Sequence, residues 1–230
     1  MKRIFLVIIY ISIISAINSY AQIGFELGYI LSDFRKEEKT VKPMNGFYAG
    51  ISYNMKFNKI VSIAPGFRYS FGSRSDGIYD FAVAKAEEST QVHLLEVPIN
   101  LRFKIPLGKK SGVAVYGGPI LSYAVSGERS YEFVRTSQNA PLRTYRYDYF
   151  KGKSYSKNIP PNILEVIDNN TDKDIYTRFD VLLGAGAGFF FRNMFIIHAG
   201  YDWGMFNRYA NTSKGKIERN ILHVGITFLF

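Results

Sequence analysis

The sequence predicts an all-β fold: an eight-stranded antiparallel transmembrane β-barrel with short turns at one end and long loops at the other. Three observations predict it. Apolar and polar residues alternate with a period of two in eight separate windows. The connections between those windows alternate between short and long. One face of each window is almost wholly apolar while the other carries charge, the reverse of what a water-soluble barrel needs.

Taken in order, residues 22–31 set Ile23, Phe25, Leu27, Tyr29 and Leu31 against Gly24, Glu26 and Gly28. Residues 46–57 set Phe47, Ala49, Ile51, Tyr53 and Met55 against Gly50, Ser52, Asn54 and Lys56. In 60–72 the apolar set is Val61, Ile63, Phe67, Tyr69 and Phe71, and in 93–105 it is Leu95, Val97, Ile99, Leu101 and Phe103. The windows 113–125, 178–191, 194–206 and 218–230 repeat the pattern with more glycine on the polar face. Each is long enough for the roughly 9–11 residues with which a tilted strand crosses a bilayer. Residues 58–59, 106–112 and 192–193 read as tight turns, and 32–45, 73–92, 126–177 and 207–217 as long polar loops. That sorting fits an outer-membrane barrel, with turns on the periplasmic side and loops outside.

The charged face carries Glu26, Lys56, Arg68, Glu96, Arg102, Lys104, Asp180, His198, Asp202 and His223. Burying so many ionisable groups in an apolar core would be prohibitive. Turned inward, they form a lumen network in which opposite signs pair, and the apolar face meets lipid. Eight strands enclose a lumen that side chains just fill, with Tyr48, Tyr116 and Phe190 as its bulkiest members, so an open pore is not expected. Pro65, Pro98 and Pro119 fall inside these strands, where each removes a ladder donor, and local bulges are expected there.

Residues 1–21 read as a cleaved signal peptide. Lys2 and Arg3 precede an apolar stretch from Ile4 to Ile17, and Ser19-Tyr20-Ala21 supplies small residues at the cleavage site. The barrel domain then spans 22–230. The chain has no cysteine, which excludes a disulfide scaffold, a thiolate metal site and a cysteine nucleophile. Of the formal charge of +10, Lys2 and Arg3 account for two, leaving +8. In an exported chain that excess points to anionic headgroups or acidic glycans rather than nucleic acid. Aromatic residues make up 16% of the chain, 17 Tyr and 19 Phe among them, as an interfacial girdle requires.

Candidate chemistry is sparse. His93 lies on the lipid-facing side near a long loop. His198 and Asp202 share the lumen face but stand too far apart along one strand to bond directly, and His223 approaches Asp202 only if the register allows. A rim-sited hydrolase or acyltransferase built on these three is the enzymatic alternative; no catalytic residue, metal site or cofactor is assigned. In the long loop, Tyr145, Tyr147 and Tyr149 share one face of an extended segment beside Arg146. They make a possible extracellular contact surface, or else a tyrosine-rich hairpin prolonging the barrel strands. Pro160-Pro161 heads a short helix or turn.

Several strings resemble the PorT-type family of small outer-membrane β-barrels, with an OmpA-like eight-stranded plan. They are Leu94-Leu-Glu-Val-Pro-Ile-Asn-Leu-Arg-Phe-Lys104, Tyr116-Gly-Gly-Pro-Ile-Leu-Ser-Tyr123, Phe179-Asp180 leading to Gly184-Ala-Gly186, and Gly200-Tyr-Asp-Trp-Gly204. The resemblance covers the chain from about residue 46 onward. It implies a monomeric barrel without family catalytic residues and, through the namesake, an accessory role in type IX protein secretion with envelope or secretion proteins as partners. Gly225, Phe228 and Phe230 resemble the terminal signal by which the barrel-assembly machinery recognises its clients. The expectation is therefore a non-enzymatic barrel among outer-membrane lipids, acting through its extracellular loops.

Overall fold

In the computed structural model of the chain, the structure describes residues 21–36, 39–40, 42–80, 85–133, 143–170, 175–192, 194–210 and 216–230. The expected signal peptide lies outside the described residues, apart from Ala21. Eleven strands and one helix follow in chain order: β1 (Ala21–Lys36), β2 (Lys39–Thr40), β3 (Met44–Lys56), β4 (Val61–Asp80), β5 (Lys85–Pro106), β6 (Ser111–Phe133), β7 (Thr144–Asp148), β8 (Lys153–Lys157), α1 (Pro161–Asn170), β9 (Phe179–Phe191), β10 (Phe195–Gly204) and β11 (Ile217–Leu229).

Eight of these strands close a ring in the order β5-β4-β3-β1-β11-β10-β9-β6, completed by β5 against β6. All pairings are antiparallel. Strand β1 closes on β11 from Gly24↔Leu229 to Lys36↔Ile217, which joins the two ends of the domain. Each predicted window is one of the eight strands. Closure leaves no free edge in the membrane, where an unpaired N–H or C=O would have no water to bond. The alternation places Ile23, Phe25, Leu27, Phe47, Ile51, Phe67, Ile197 and Leu222 outward, each about half exposed.

Phe228 stacks edge-on to Phe195 at 5.3 Å and Phe230 to Phe25 at 5.7 Å, in an aromatic belt at the periplasmic end. At the opposite end His93 joins the outward aromatic cluster, 5.0 Å from Phe71, and shares a hydrogen bond between Nδ1 and the Tyr69 hydroxyl at 2.5 Å. Gly225 has a packing reason of its own. A Cβ there would meet the Tyr48 hydroxyl at 2.1 Å, so a side chain at this position would expel Tyr48 from the lumen.

Three expectations are corrected. First, residues 73–80 and 85–92 are not a loop: β4 and β5 continue as a paired ladder to Asp80↔Lys85. Second, the described part of 126–177 is largely regular structure. Strand β6 runs on to Phe133, β7 pairs onto its upper half, β8 pairs onto β7, and α1 follows with Pro161 at its first position. The fifth barrel strand thus continues upward as β6, but the sixth, β9, begins only at Phe179, and the tyrosines lie in a separate hairpin, β7–β8, paired onto β6.

Third, the prolines do not carry bulges. The ladder lapses for two residues beside each of them, between Ser52↔Gly66 and Met55↔Ile63, Pro65↔Ile99 and Arg68↔Glu96, and Pro98↔Ile120 and Leu101↔Gly117. It then resumes in the same register, because a missing N–H deletes a bond without inserting a residue. The register shifts lie elsewhere, between Ser75 and Gly77 on β4 and opposite His93/Leu94, where β6 carries Val125 as an extra residue. Val125 and Ser126 are consecutively exposed. Above them the odd-numbered residues of β6 point inward instead of outward.

Candidate functional site

The lumen holds a charged network, built because every second residue of eight strands points into one narrow space. Glu96 of β5 is its hub and has no solvent exposure. One carboxylate oxygen accepts from Arg68 Nε at 2.7 Å and from the Ser70 hydroxyl at 2.7 Å. The other accepts from Arg219 Nη2 at 3.0 Å and from the Ser122 hydroxyl at 3.3 Å. Arg68 Nη2 reaches on to Asp202 at 3.2 Å. Arg208 and Arg219 approach Asp180 at 3.4 and 3.5 Å, and Arg102 holds Glu26 at 3.2 Å. Four guanidiniums thus face four carboxylates. Desolvating eight charges is costly, and it is tolerated because each has a partner of opposite sign.

Toward the periplasm lies a layer of imidazoles and phenols. The Tyr116 hydroxyl stands 3.0 Å from His223 Nε2 and 3.3 Å from His198 Nδ1, and the Thr227 hydroxyl lies 3.2 Å from His198 Nε2. His223 Nδ1 comes within 3.4 Å of Asp202 but is not aligned for a hydrogen bond. The void bounded by these groups, Glu26 and Arg68 measures about 20 Å³, little more than one water molecule occupies. Below it, Ala114, Phe190, Ile196 and Leu229 form an apolar layer. Lys104 lies over the Phe190 ring at 5.3 Å, with Lys56 near it at the periplasmic mouth.

The structure therefore brings Glu26, Arg68, Glu96, Arg102, Asp180, His198, Asp202 and His223 into one connected lumen and leaves Lys56 and Lys104 apart from the arginine–carboxylate pairs. Two members are absent from the sequence reading. Arg219 lies within the last window and shares the inward parity of His223, so carrying the alternation from His223 back by four residues finds it. Arg208 follows β10 in irregular chain that folds into the lumen mouth, and no periodicity announces it.

Above the membrane a lobe has a core of its own, formed by Ala86, Tyr131, Phe133, Tyr145, Tyr147, Tyr149 and Ile167. The reading of Tyr145, Tyr147 and Tyr149 as a contact surface is corrected here: they are 0%, 1% and 5% exposed. The Val125 bulge turns Tyr131 and Phe133 to the same side as the β7 tyrosines, and α1 covers that side. The Tyr145 hydroxyl donates to Asp168 at 2.7 Å across this contact. Arg129 bridges Glu88 at 3.1 Å and the Tyr149 hydroxyl at 2.9 Å. Of the four expected contact residues only Arg146 faces out, opposite the half-exposed Tyr155 in the β7–β8 ladder.

The turn joining β7 to β8 depends on Asp148, whose Oδ1 accepts from the amides of Phe150 at 2.9 Å and Lys151 at 3.0 Å. Partial burial opposes its ionisation, but these amides and the Lys151 ammonium outweigh it and hold the carboxyl below the usual aspartate range. A depressed pKa contributes stability that is present above the unfolded-state value and is lost as pH falls through the folded one. Amide exchange at Phe150 and Lys151 is therefore expected to quicken, beyond its intrinsic pH dependence, as pH drops through the acid range. An unaltered protection profile would show that the carboxylate does not hold the turn.

A closed ring of eight strands with a charged interior and an apolar exterior defines a transmembrane β-barrel. The chain matches the family described as outer membrane protein beta-barrel domain over residues 14–209 and belongs to it; it is an outer-membrane protein. No curated protein sequence matches it. Among solved structures it is similar to Ail, the attachment invasion locus protein of Yersinia pestis, in complex with the heparin analogue sucrose octasulfate. That likeness has 14% identity, covers 92% of this chain and 99% of that one, and has a TM-score of 0.45. Neisserial surface protein A follows with 10% identity, 90% and 97% coverage and a TM-score of 0.41. The outer membrane protease OmpT from Escherichia coli is similar at 10% identity, with 92% and 97% coverage and a TM-score of 0.39.

Proposed function

We propose that this protein is a closed, non-enzymatic barrel that anchors an ordered extracellular lobe, and that the outward face of the lobe binds a protein or glycan partner. The observation that supports this reading is the contrast between the two ends of the long strands. Within the membrane the interior is tied up in ion pairs around a void the size of a water molecule. Outside, β4 to β8 and α1 build a separately cored platform with Arg146 and Tyr155 side by side on its surface. Arg and Tyr combine large contact area with directed hydrogen bonds, which is why they dominate recognition surfaces.

Against a rim-sited hydrolase stands the position of His198, Asp202 and His223. They lie at mid-lumen, beneath the Glu96–Arg219 layer, with no space for a substrate. The accessory role in type IX secretion rests on the resemblance to the PorT-type strings and fits the same platform, with a secretion protein as its partner. In planar bilayers the purified protein is expected to give no stable unit conductance. Large, reproducible channel openings would overturn the closed-lumen reading. Co-isolation of envelope proteins with the native chain, weakened by Arg146→Ala with Tyr155→Ala, is the expected sign of a protein-binding face.

A further inference from the structure

Charge is sorted along the barrel axis. The segments that form its periplasmic end, residues 21–25, 51–67, 97–117, 187–198 and 226–230, contain no Asp or Glu, and Glu26 lies next above the first of them. They contain Lys56, Lys59, Arg102, Lys104, Lys109, Lys110 and Arg192. Among the described residues, Arg102 is the one of these that reaches a carboxylate, that of Glu26. Lys56, Lys59, Lys104, Lys109 and Lys110 converge on one open cavity of about 330 Å³ at the lumen mouth, and no carboxylate lines it. None of these five lysines has an ion-pair partner among the described residues.

The inner wall of this vestibule is polar as well. Lys104 is 8% exposed, and its ammonium lies over the face of Phe190. Ser62 lines the cavity at 2% exposure with its hydroxyl unbonded. One inward step above Lys56, Asn54 is fully buried with neither amide atom bonded, and Arg102 Nη1 is likewise free. Buried donors are normally satisfied, and like charges brought together need a counter-charge. The ammonium groups of Lys56 and Lys104 and the hydroxyl of Ser62 line this cavity with no carboxylate beside them, a set of donors complementary to an oxyanion. The size is at the low end for a small-ligand site, enough for a phosphate with a short substituent.

We propose that the periplasmic vestibule of the barrel binds a phosphate-type oxyanion, with Lys56 and Lys104 as its inner ligands and the lysines of the two turns as its rim. Two sources share this chemistry: the headgroup of an anionic phospholipid in the adjoining leaflet, and a free phosphate or phosphate ester of the periplasm.

The test uses the full mature barrel in phosphatidylcholine nanodiscs at low ionic strength, with backbone amide shifts as the readout. In one arm inorganic phosphate is titrated in against chloride at matched ionic strength. In the other, phosphatidylglycerol replaces part of the phosphatidylcholine and no phosphate is added. Saturable shifts confined to residues 54–62 and 102–112 are expected in at least one arm. Shifts with phosphate assign a soluble ligand, and shifts with phosphatidylglycerol alone assign a lipid headgroup. Lys104→Gln is expected to weaken the response about tenfold, the scale of one charge-assisted hydrogen bond. Lys59→Gln with Lys109→Gln, on exposed turns where folding is not at stake, is expected to weaken it as well. Absence of localised shifts in both arms, or shifts indifferent to both variants, would overturn the proposal.

Discussion

Replacing Glu96 by Gln is expected to lower the unfolding free energy by about 3–5 kcal/mol, the cost of breaking a buried ion pair on one side. The carboxylate is fully buried and is the common acceptor for Arg68 and Arg219. Without it both guanidiniums remain desolvated, with Asp202 and Asp180 as their nearest remaining anions. The measurement is the urea midpoint of the barrel in detergent or lipid, followed by the mobility difference between heated and unheated samples on a gel. A second variant separates charge from packing. Adding Arg219→Met to Glu96→Gln removes one of the stranded cations and is expected to recover part of the loss, a coupling that a double-mutant cycle isolates. An unchanged midpoint for Glu96→Gln would mean that water, rather than the carboxylate, compensates the arginines.

The second large effect is confined to the lobe. Tyr145→Ala removes a fully buried ring and the hydrogen bonds its hydroxyl makes to Asp168 and Ser154. Truncations of buried aromatics cost about 3–5 kcal/mol. Because the lobe core is separate from the lumen, that cost is expected to open the lobe without opening the barrel. Proteases added to intact vesicles should then cut between β7 and α1, while the heat-dependent gel shift of the barrel persists. Arg146→Ala, one residue away but pointing outward, is expected to leave protease resistance unchanged, since surface substitutions rarely exceed about 0.5 kcal/mol. Equal protection of Tyr145→Ala and the parent chain would show that the lobe does not depend on its tyrosine core.

The membrane part of this architecture is legible in the sequence because a lipid exterior and a filled interior impose one rule on every strand. Each residue of the membrane strands, from Ile23 on β1 to Phe228 on β11, answers to a period of two, and the lumen charges on those strands follow from parity. The rule fails where a residue obeys some other constraint. Arg208 enters the lumen from irregular chain, so parity says nothing of it. Tyr145, Tyr147 and Tyr149 do share a face, as the alternation indicates, but periodicity cannot say what covers that face. The cover is Ile167 and its neighbours on α1, a contact between segments about twenty residues apart. The bulge at Val125 is invisible for a related reason: Val125-Ser126 reads as the end of a strand, because an interrupted alternation and a finished one look alike. The prolines misled in the opposite direction. A lost donor suggested an added residue, yet the register passes each proline unchanged.

The extra residue in β6 also limits how the protein can change over time. One strand serves lipid below that point and a protein core above it, and the half-period step keeps each part in phase with its surroundings. An insertion or deletion of one residue between Val125 and Phe133 would turn the lobe inside out, exposing Tyr131 and Phe133 and burying Glu132. A change of two would preserve the pattern and only raise or lower the platform. Lineages of this barrel should therefore differ in lobe height by even numbers of residues along β6, unless a second bulge cancels the first.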